Sequence, residues 1–268
     1  ELVIPGSHDS STYSMSPDTG NNLIAKAAQT QDLNIYGQLK LGARSLDIRG
    51  TDVFGKVVTH HGVVNGCEVS EVLRDIIKFS EENPSEVVIL LFRNCSKKNL
   101  EKIANLSEIK EIGQKCLTKS MCSSLNKSLG EMSMGDIRNL GAKFILIGNN
   151  EEDIFHSNSN LKNKYNEPTR MADTNTMVEQ ELKQLDEFPS DVLRNISPVH
   201  TPSTEDFFKN KASPMKSEYK SSGIRNELLR NSDIFQKKAN IVSLDALAIN
   251  ENFIKEMINM NRERNLFY

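Results

Sequence analysis

Residues 86–92, Glu-Val-Val-Ile-Leu-Leu-Phe, become apolar at the second position and stay so to the end. A strand with one wet face alternates apolar and polar side chains. An unbroken apolar run suits a strand covered on both faces, as in parallel sheets flanked by helices. Residues 143–147 and 240–245 repeat the pattern. Between such runs, residues 68–82 place Val69, Val72, Leu73, Ile76, Ile77 and Phe79 close to helical period, and Asn83-Pro84 stops that helix. Shorter strands are expected at 2–5, 43–48 and 56–60, a helix in two pieces over 23–41, and a last helix around Phe253, Ile254, Met257 and Ile258. Strands alternating with helices give an α/β class with a parallel sheet, open or closed. Residues 97–140 are Lys-, Ser- and Asn-rich with helical pieces. Residues 150–220 read as long polar loops with a helix near 176–187. Nothing between them reads as a linker, so the 268 residues are expected to form a single domain.

A formal net charge of -3 offers no bulk positive field and argues against nucleic acid as a partner. No apolar run approaches a transmembrane span. The opening on Leu2-Val3-Ile4, with no signal peptide, reads as a trimmed boundary and leaves export open. Cys67, Cys95, Cys116 and Cys122 lack zinc-site spacing; free or buried thiols are the expected state, with a Cys116–Cys122 disulfide as the alternative.

There are five histidines, and three fall at strand-ending segments in the first quarter of the chain. His8 follows the first strand in Ile4-Pro5-Gly6-Ser7-His8-Asp9. His60 and His61 end the third in Val57-Val58-Thr59-His60-His61-Gly62. Arg49 ends the second in Leu46-Asp47-Ile48-Arg49-Gly50. In a parallel barrel such ends converge on one face. Two imidazoles and a guanidinium around one pocket suit in-line phosphoryl transfer: one ring takes a proton, the other gives one, and the guanidinium fork neutralises charge on the phosphate. Asp9 and Asp245 are placed to orient the rings, Asp245 toward His8 if the last strand lies beside the first. Each residue alone has an ordinary explanation. A His-Asp pair on a loop is usually solvated surface, an Arg at a strand end usually makes a surface ion pair, and an Asp there is often a turn residue. His60 is expected to be a structural neighbour.

The segments "IPGSHDSSTY", "QLKLGARSLDIRG", "VVTHHG" and "NPSEVVILLF" together resemble the X domain of phosphatidylinositol-specific phospholipase C, in its bacterial form, and are similar to eukaryotic proteins containing only an X domain. The ending "NIVSLDALAINENFIKEMINMNR" looks like that group's closing strand and helix. Matching motifs cover 1–95 well and 240–262 moderately, while 96–239 matches poorly. The resemblance implies a distorted TIM-like β/α barrel over residues 1–268, with 97–140 and 150–220 as less regular insertions. It implies attack of the inositol 2-hydroxyl on phosphorus, giving diacylglycerol and inositol 1,2-cyclic phosphate. His8 matches the general base with Asp245 as its partner, His61 the general acid with Asp9 as its partner, and Arg49 the phosphate-stabilising arginine.

Calcium-dependent relatives use an Asn, two acidic residues and a Glu where this chain has Asp9, Asp47 with Arg49, and Arg93. Only one acidic ligand position is kept, and two guanidiniums would repel an ion. The implied site is therefore metal-independent, with no cofactor. The implied partner is a phosphoinositide or glycosyl-phosphatidylinositol lipid at a membrane surface. The protein is expected as a monomer, secreted or associated with host membranes. Arg93 and Asp173 are the expected substrate contacts, and Lys97, Lys98 or Arg170 could read added phosphates. Two departures stand out. Ile145-Leu146-Ile147-Gly148-Asn149-Asn150 lacks the cation that bacterial enzymes place near the sugar, and the absence of Trp removes the simplest interfacial anchor, leaving Lys-rich helices in 97–119, or a region outside this sequence, as the expected membrane contact. The alternatives are a catalytically weak headgroup- or protein-binding module on the same barrel, and a phosphodiesterase for another phospholipid.

Overall fold

A computed structural model describes residues 2–15, 23–162, 174–201, 205, 209 and 213–264. The strands are β1 (Ile4–Ser7), β2 (Ser45–Ile48), β3 (Gly50–Val53), β4 (Lys56–His61), β5 (Val64–Glu68), β6 (Val88–Phe92), β7 (Phe144–Ile147), β8 (Phe155–His156), β9 (Leu161–Lys162), β10 (Leu193–Ile196) and β11 (Ile241–Leu244). The helices are α1 (Leu23–Ala28), α2 (Ile35–Leu41), α3 (Val69–Glu82), α4 (Lys97–Ala104), α5 (Ser107–Gly113), α6 (Lys119–Ser124), α7 (Met134–Asn139), α8 (Thr174–Gln184), α9 (Pro214–Arg230), α10 (Asp233–Lys238) and α11 (Glu251–Glu263).

Eight strands form one sheet in the order β8-β7-β6-β2-β1-β11-β10-β9, with every described pairing parallel. The unbroken apolar run is used on both faces. Leu90 and Phe92 of β6 pack with Val72, Leu73, Ile76 and Phe79 of α3. Ile89 and Leu91 face a second core shared with Ile145, Ile147 and, from three strands away, Ile241. The sheet therefore curls into a distorted TIM-like β/α barrel, open between β8 and β9 in the described residues.

The chain's first and last strands close the middle of this curl. Register pairs Ser7 with Leu46 on one side and with Leu244 on the other. The residues just past these pairs, His8, Asp47 and Asp245, thus emerge at one height. Gly6 makes the close approach possible, since a Cβ there would stand 2.9 Å from Ser243 Oγ and 3.0 Å from Ile241 Cγ2.

Several expectations shift. The first strand lies at Ile4–Ser7 rather than 2–5, because its pairing with β11 runs Ile4↔Ile241 to Ser7↔Leu244. The expected third strand is real but is no barrel strand. β4 pairs antiparallel with β3 and β5 in a separate three-stranded sheet. The short Phe54-Gly55 turn, both residues at positive φ, folds β4 back onto β3 and prevents a parallel crossover. The stretch 150–220, expected as loops with one helix, also holds β8, β9, β10 and the start of α9. All four cysteines are free; Cys116 and Cys122 are separate buried thiols, so the disulfide alternative does not hold.

Candidate active site

His8 and Asp9 sit where β1 ends. Asp9 takes left-handed backbone (φ 44°, ψ 50°), which a short polar side chain tolerates, and the chain enters the 3-10 turn Ser10–Ser14. Thr12 fastens that turn, its hydroxyl donating to Asp9 O at 2.9 Å. Gln31 ties the two strand ends together: its Nε2 donates to His8 O (2.9 Å) and Leu244 O (2.8 Å). On the other flank, Ser10 Oγ accepts the Asp47 N–H at 2.8 Å.

On this frame His8, Asp9, Arg49, His61 and Asp245 come together. His8 Nδ1 lies 2.7 Å from Asp245 Oδ1, which assigns that nitrogen as the donor and leaves Nε2 as the basic edge. His61 Nδ1 donates to Ala28 O at 2.7 Å, so its Nε2 is likewise left facing the site. Both Nε2 atoms stand 3.5 Å from the same oxygen, Asp9 Oδ2. Arg49 Nη2 pairs with Asp9 Oδ1, lies 3.3 Å from Asp47 Oδ2 and 3.5 Å from His8 Nε2. His8 is the deeper ring, its side chain 7% exposed against 29% for His61.

The electrostatics follow from this packing. Burial pushes the Asp9 carboxyl up, but the charges of His8, Arg49 and His61 pull it down to about 2. Burial likewise raises Asp245, and there it prevails over the pull of His8.

The other candidates are placed differently. Arg93 follows β6, one strand over from Arg49, its N–H on Ile48 O at 3.1 Å. His60 turns away, with Nδ1 3.4 Å from Gly62 O and Nε2 3.3 Å from Asn94 O. Lys97 and Lys98 are exposed on α4, and Lys97 pairs with Glu151 at 3.4 Å. Asp173 and Arg170 lie outside the described residues.

One residue was missed. Glu181 on α8 is 1% exposed, and its Oε2 accepts the Ser197 N–H at 2.8 Å. Burial pushes its carboxyl up to about 7, opposed by that N–H and by the charges of His8 and Arg93. The signal was a carboxylate at helical spacing within the buried stripe Met177, Val178, Leu185.

Ligand atoms of His8, Asp9 and Asp47 lie within 4.8 Å of one another, a spacing that could suit a divalent ion. The fit fails on Arg49, whose guanidinium stands between the two carboxylates and supplies the positive charge an ion would bring.

Residues 2–149, just over half the chain, match the family model described as phosphatidylinositol-specific phospholipase C, X domain. A 1-phosphatidylinositol phosphodiesterase of Listeria monocytogenes is 34% identical over 98 residues, covering 37% of this chain and 30% of that protein. A PI-PLC X-box domain-containing protein of Dictyostelium discoideum is 36% identical over 100 residues, covering 33% of this chain and 14% of its own length. The matched segments thus span less than a third of either relative. Among solved structures, the phosphatidylinositol-specific phospholipase C of Listeria monocytogenes superposes with a TM-score of 0.66 at 19% identity, covering 97% of this chain and 93% of that one. The Staphylococcus aureus counterpart gives 0.65 at 16%, covering 95% and 91%. At these identities the structures establish the shared fold.

Proposed function

The chain belongs to the phosphatidylinositol-specific phospholipase C X-domain family, and from that premise we propose that it is a metal-independent phospholipase C acting on phosphoinositide-type lipids at a membrane surface. The observation that carries this reading is the pair of Nε2 atoms, from His8 and His61, flanking one Asp9 oxygen with Arg49 beside it.

A phosphodiester bound there meets a base, an acid and a fixed cation. His8, oriented by Asp245, takes the proton of the inositol 2-hydroxyl as that oxygen bonds to phosphorus. The bond from phosphorus to the glycerol oxygen breaks, and His61, held by Ala28 O and Asp9, protonates the leaving diacylglycerol. Arg49 neutralises charge on the non-bridging oxygens. The products are diacylglycerol and inositol 1,2-cyclic phosphate, which the same two rings can open with water by exchanging roles.

The test is a panel of phosphatidylinositol, its phosphorylated forms and a glycosyl-phosphatidylinositol-anchored protein, with sphingomyelin and a glycerophosphodiester alongside. Release of diacylglycerol and cyclic inositol phosphate is followed. His8→Gln and His61→Gln should each lower the rate by roughly 10²–10⁴-fold with the fold intact. Full activity in either variant, or cleavage confined to the non-inositol lipids, overturns the reading. Headgroup binding without turnover is the second reading, favoured by the uncharged Gly148-Asn149-Asn150 after β7. Saturable binding to inositol-lipid vesicles with no product would select it.

A further inference from the structure

Against the turn that carries Asp245 lies a second set of buried polar groups that the chemistry above does not use. Glu218 and Arg225 of α9 are both 0% exposed and pair with each other through Glu218 Oε2 and Arg225 Nη1. Arg225 Nη1 also donates to Pro198 O at 3.3 Å, and Nη2 donates to Asn250 Oδ1 at 2.9 Å. Asn250 passes the contact on. Its Nδ2 donates to Asp245 O (2.9 Å) and Ala246 O (3.1 Å), the two carbonyls of the turn that presents the Asp245 carboxylate. That turn needs holding, since Ala246 sits at φ 48°, a conformation L residues with a Cβ disfavour. His200 completes the set, its Nε2 2.5 Å from Ser221 Oγ and 3.9 Å from Glu218 Oε1.

Packing does not explain these residues. A fully buried charged pair is costly to desolvate, and apolar side chains of similar volume often serve stability as well or better. Pro214, Glu218, Arg225 and Leu229 form the buried stripe of α9, where apolar residues would be the ordinary choice. What Arg225 reaches through the Asn250 amide, and an apolar residue could not hold, is the turn carrying the buried Asp245 carboxylate that pairs with the His8 ring.

We propose that Arg225 is a positioning residue for the His8–Asp245 dyad: through Asn250 it fixes the Asp245 turn, and its fixed charge balances the buried carboxylate. The inference rests on the phospholipase reading for its role in turnover, but the contact chain from Arg225 through Asn250 to the Asp245 turn stands on the geometry alone. Without Arg225, Asp245 is left under-compensated and holds a proton on His8 more tightly, so the base is blocked at higher pH. Other charges face His8 from every side: Asp9 on its own loop, Arg49 and Asp47 from β2, His61 from β4 across Asp9, Glu181 from α8, and Glu218 beside Arg225. Of these, Glu218 alone pairs with Arg225 and is altered by substitution at 225. Burial pushes Glu218 up to about 7 against the pull of Arg225, and loss of that pull raises it further, so in the Gln variant Glu218 is drawn toward its neutral form and adds no negative charge beside His8.

The experiment is NMR titration of the ring carbons of ¹³C-labelled histidine in the full chain, with His8→Gln assigning the His8 signal. Arg225→Gln is expected to move the His8 midpoint upward by roughly half a unit to one unit. Arg225→Lys, which keeps the charge, is expected to stay closer to the parent value. On inositol-lipid vesicles, Arg225→Gln should lower kcat several-fold with KM nearly unchanged and carry the acid limb of the pH profile upward. Should Arg225→Gln not fold, the paired amides of Glu218→Gln/Arg225→Gln are the test, with the same upward direction. An unmoved His8 midpoint in a folded variant overturns the proposal. An inactive parent protein whose His8 midpoint still moves overturns the phospholipase reading and leaves the charge balance standing.

Discussion

Arg49 has no ordinary salt-bridge role. It faces two carboxylates, Asp9 and Asp47, and a ring nitrogen of His8, all of them buried. A planar fork can hold two oxygens and still present an N–H edge to a phosphate, whereas lysine offers one point charge that the two aspartates would capture. Arg49→Lys is therefore expected to lower kcat by about 10²-fold or more with little change in thermal stability; turnover near the parent rate would remove Arg49 from the mechanism. Glu181 gives a second prediction at this scale. Its folded value near 7 lies above the ordinary 4.5. Between those pH values the folded chain keeps a proton that the unfolded chain has released. The stability this contributes is complete below 4.5 and is lost as pH rises through 7. Glu181→Gln, which can still accept the Ser197 N–H, should flatten the fall of Tm between pH 4.5 and 7. A parallel pair of Tm curves would show that Glu181 does not titrate in that window.

Among the elements, those whose apolar pattern reports burial directly were the ones legible in the sequence. The helix read at 68–82 forms as Val69–Glu82, with a reciprocal cap between Glu68 and Glu71. The runs at 86–92, 143–147 and 240–245 contain β6, β7 and β11. What failed was partnership and the polar middle of the chain. Val57-Val58-Thr59-His60-His61 holds only two apolar residues, adjacent to each other, too short a pattern to tell an antiparallel hairpin strand from a barrel strand. β10 was unreadable for a related reason: Arg194 and Asn195 are buried by polar partners, Asn240 for Arg194 and the Ser243 hydroxyl for Asn195. Arg225 and Glu218 were hidden in the same way, since charges in an apolar stripe read as surface. The candidate residues that the structure brings together could be picked out because they stand at or just past strand ends. The clamp that holds those ends could not, because Gln31 belongs to no strand or helix. Gln31→Met removes the donor to two buried carbonyls and the acceptor for the Leu247 N–H (3.2 Å). It should cost about 2–4 kcal/mol in urea unfolding and lower activity beyond what that loss explains; a change under about 0.5 kcal/mol would mean that water or Thr30 replaces it.

At the scale of the whole molecule, strand order converts residues far apart in sequence into neighbours. β6, β2, β1 and β11 are consecutive in the sheet, so Arg93, Arg49, His8 and Asp245 follow one another around a single rim. The small antiparallel sheet adds His61 from outside the barrel. The charge on this rim bears on the metal question. Three carboxylates, Asp9, Asp47 and Asp245, surround the site, and the guanidinium of Arg49 already bridges two of them. A divalent cation entering there would have to displace Arg49, and the displaced guanidinium would remain close enough to repel it. Asp9 stays ionised down to about 2, so acid does not free those oxygens within a working pH range. Hydrolysis of inositol-lipid vesicles is therefore expected to be unchanged, within about two-fold, by excess EGTA or EDTA and by added millimolar calcium or magnesium, at matched ionic strength because salt alone alters vesicle charge. Activity abolished by chelator and restored by one cation would place that ion among the catalytic groups and return Arg49 to a structural role.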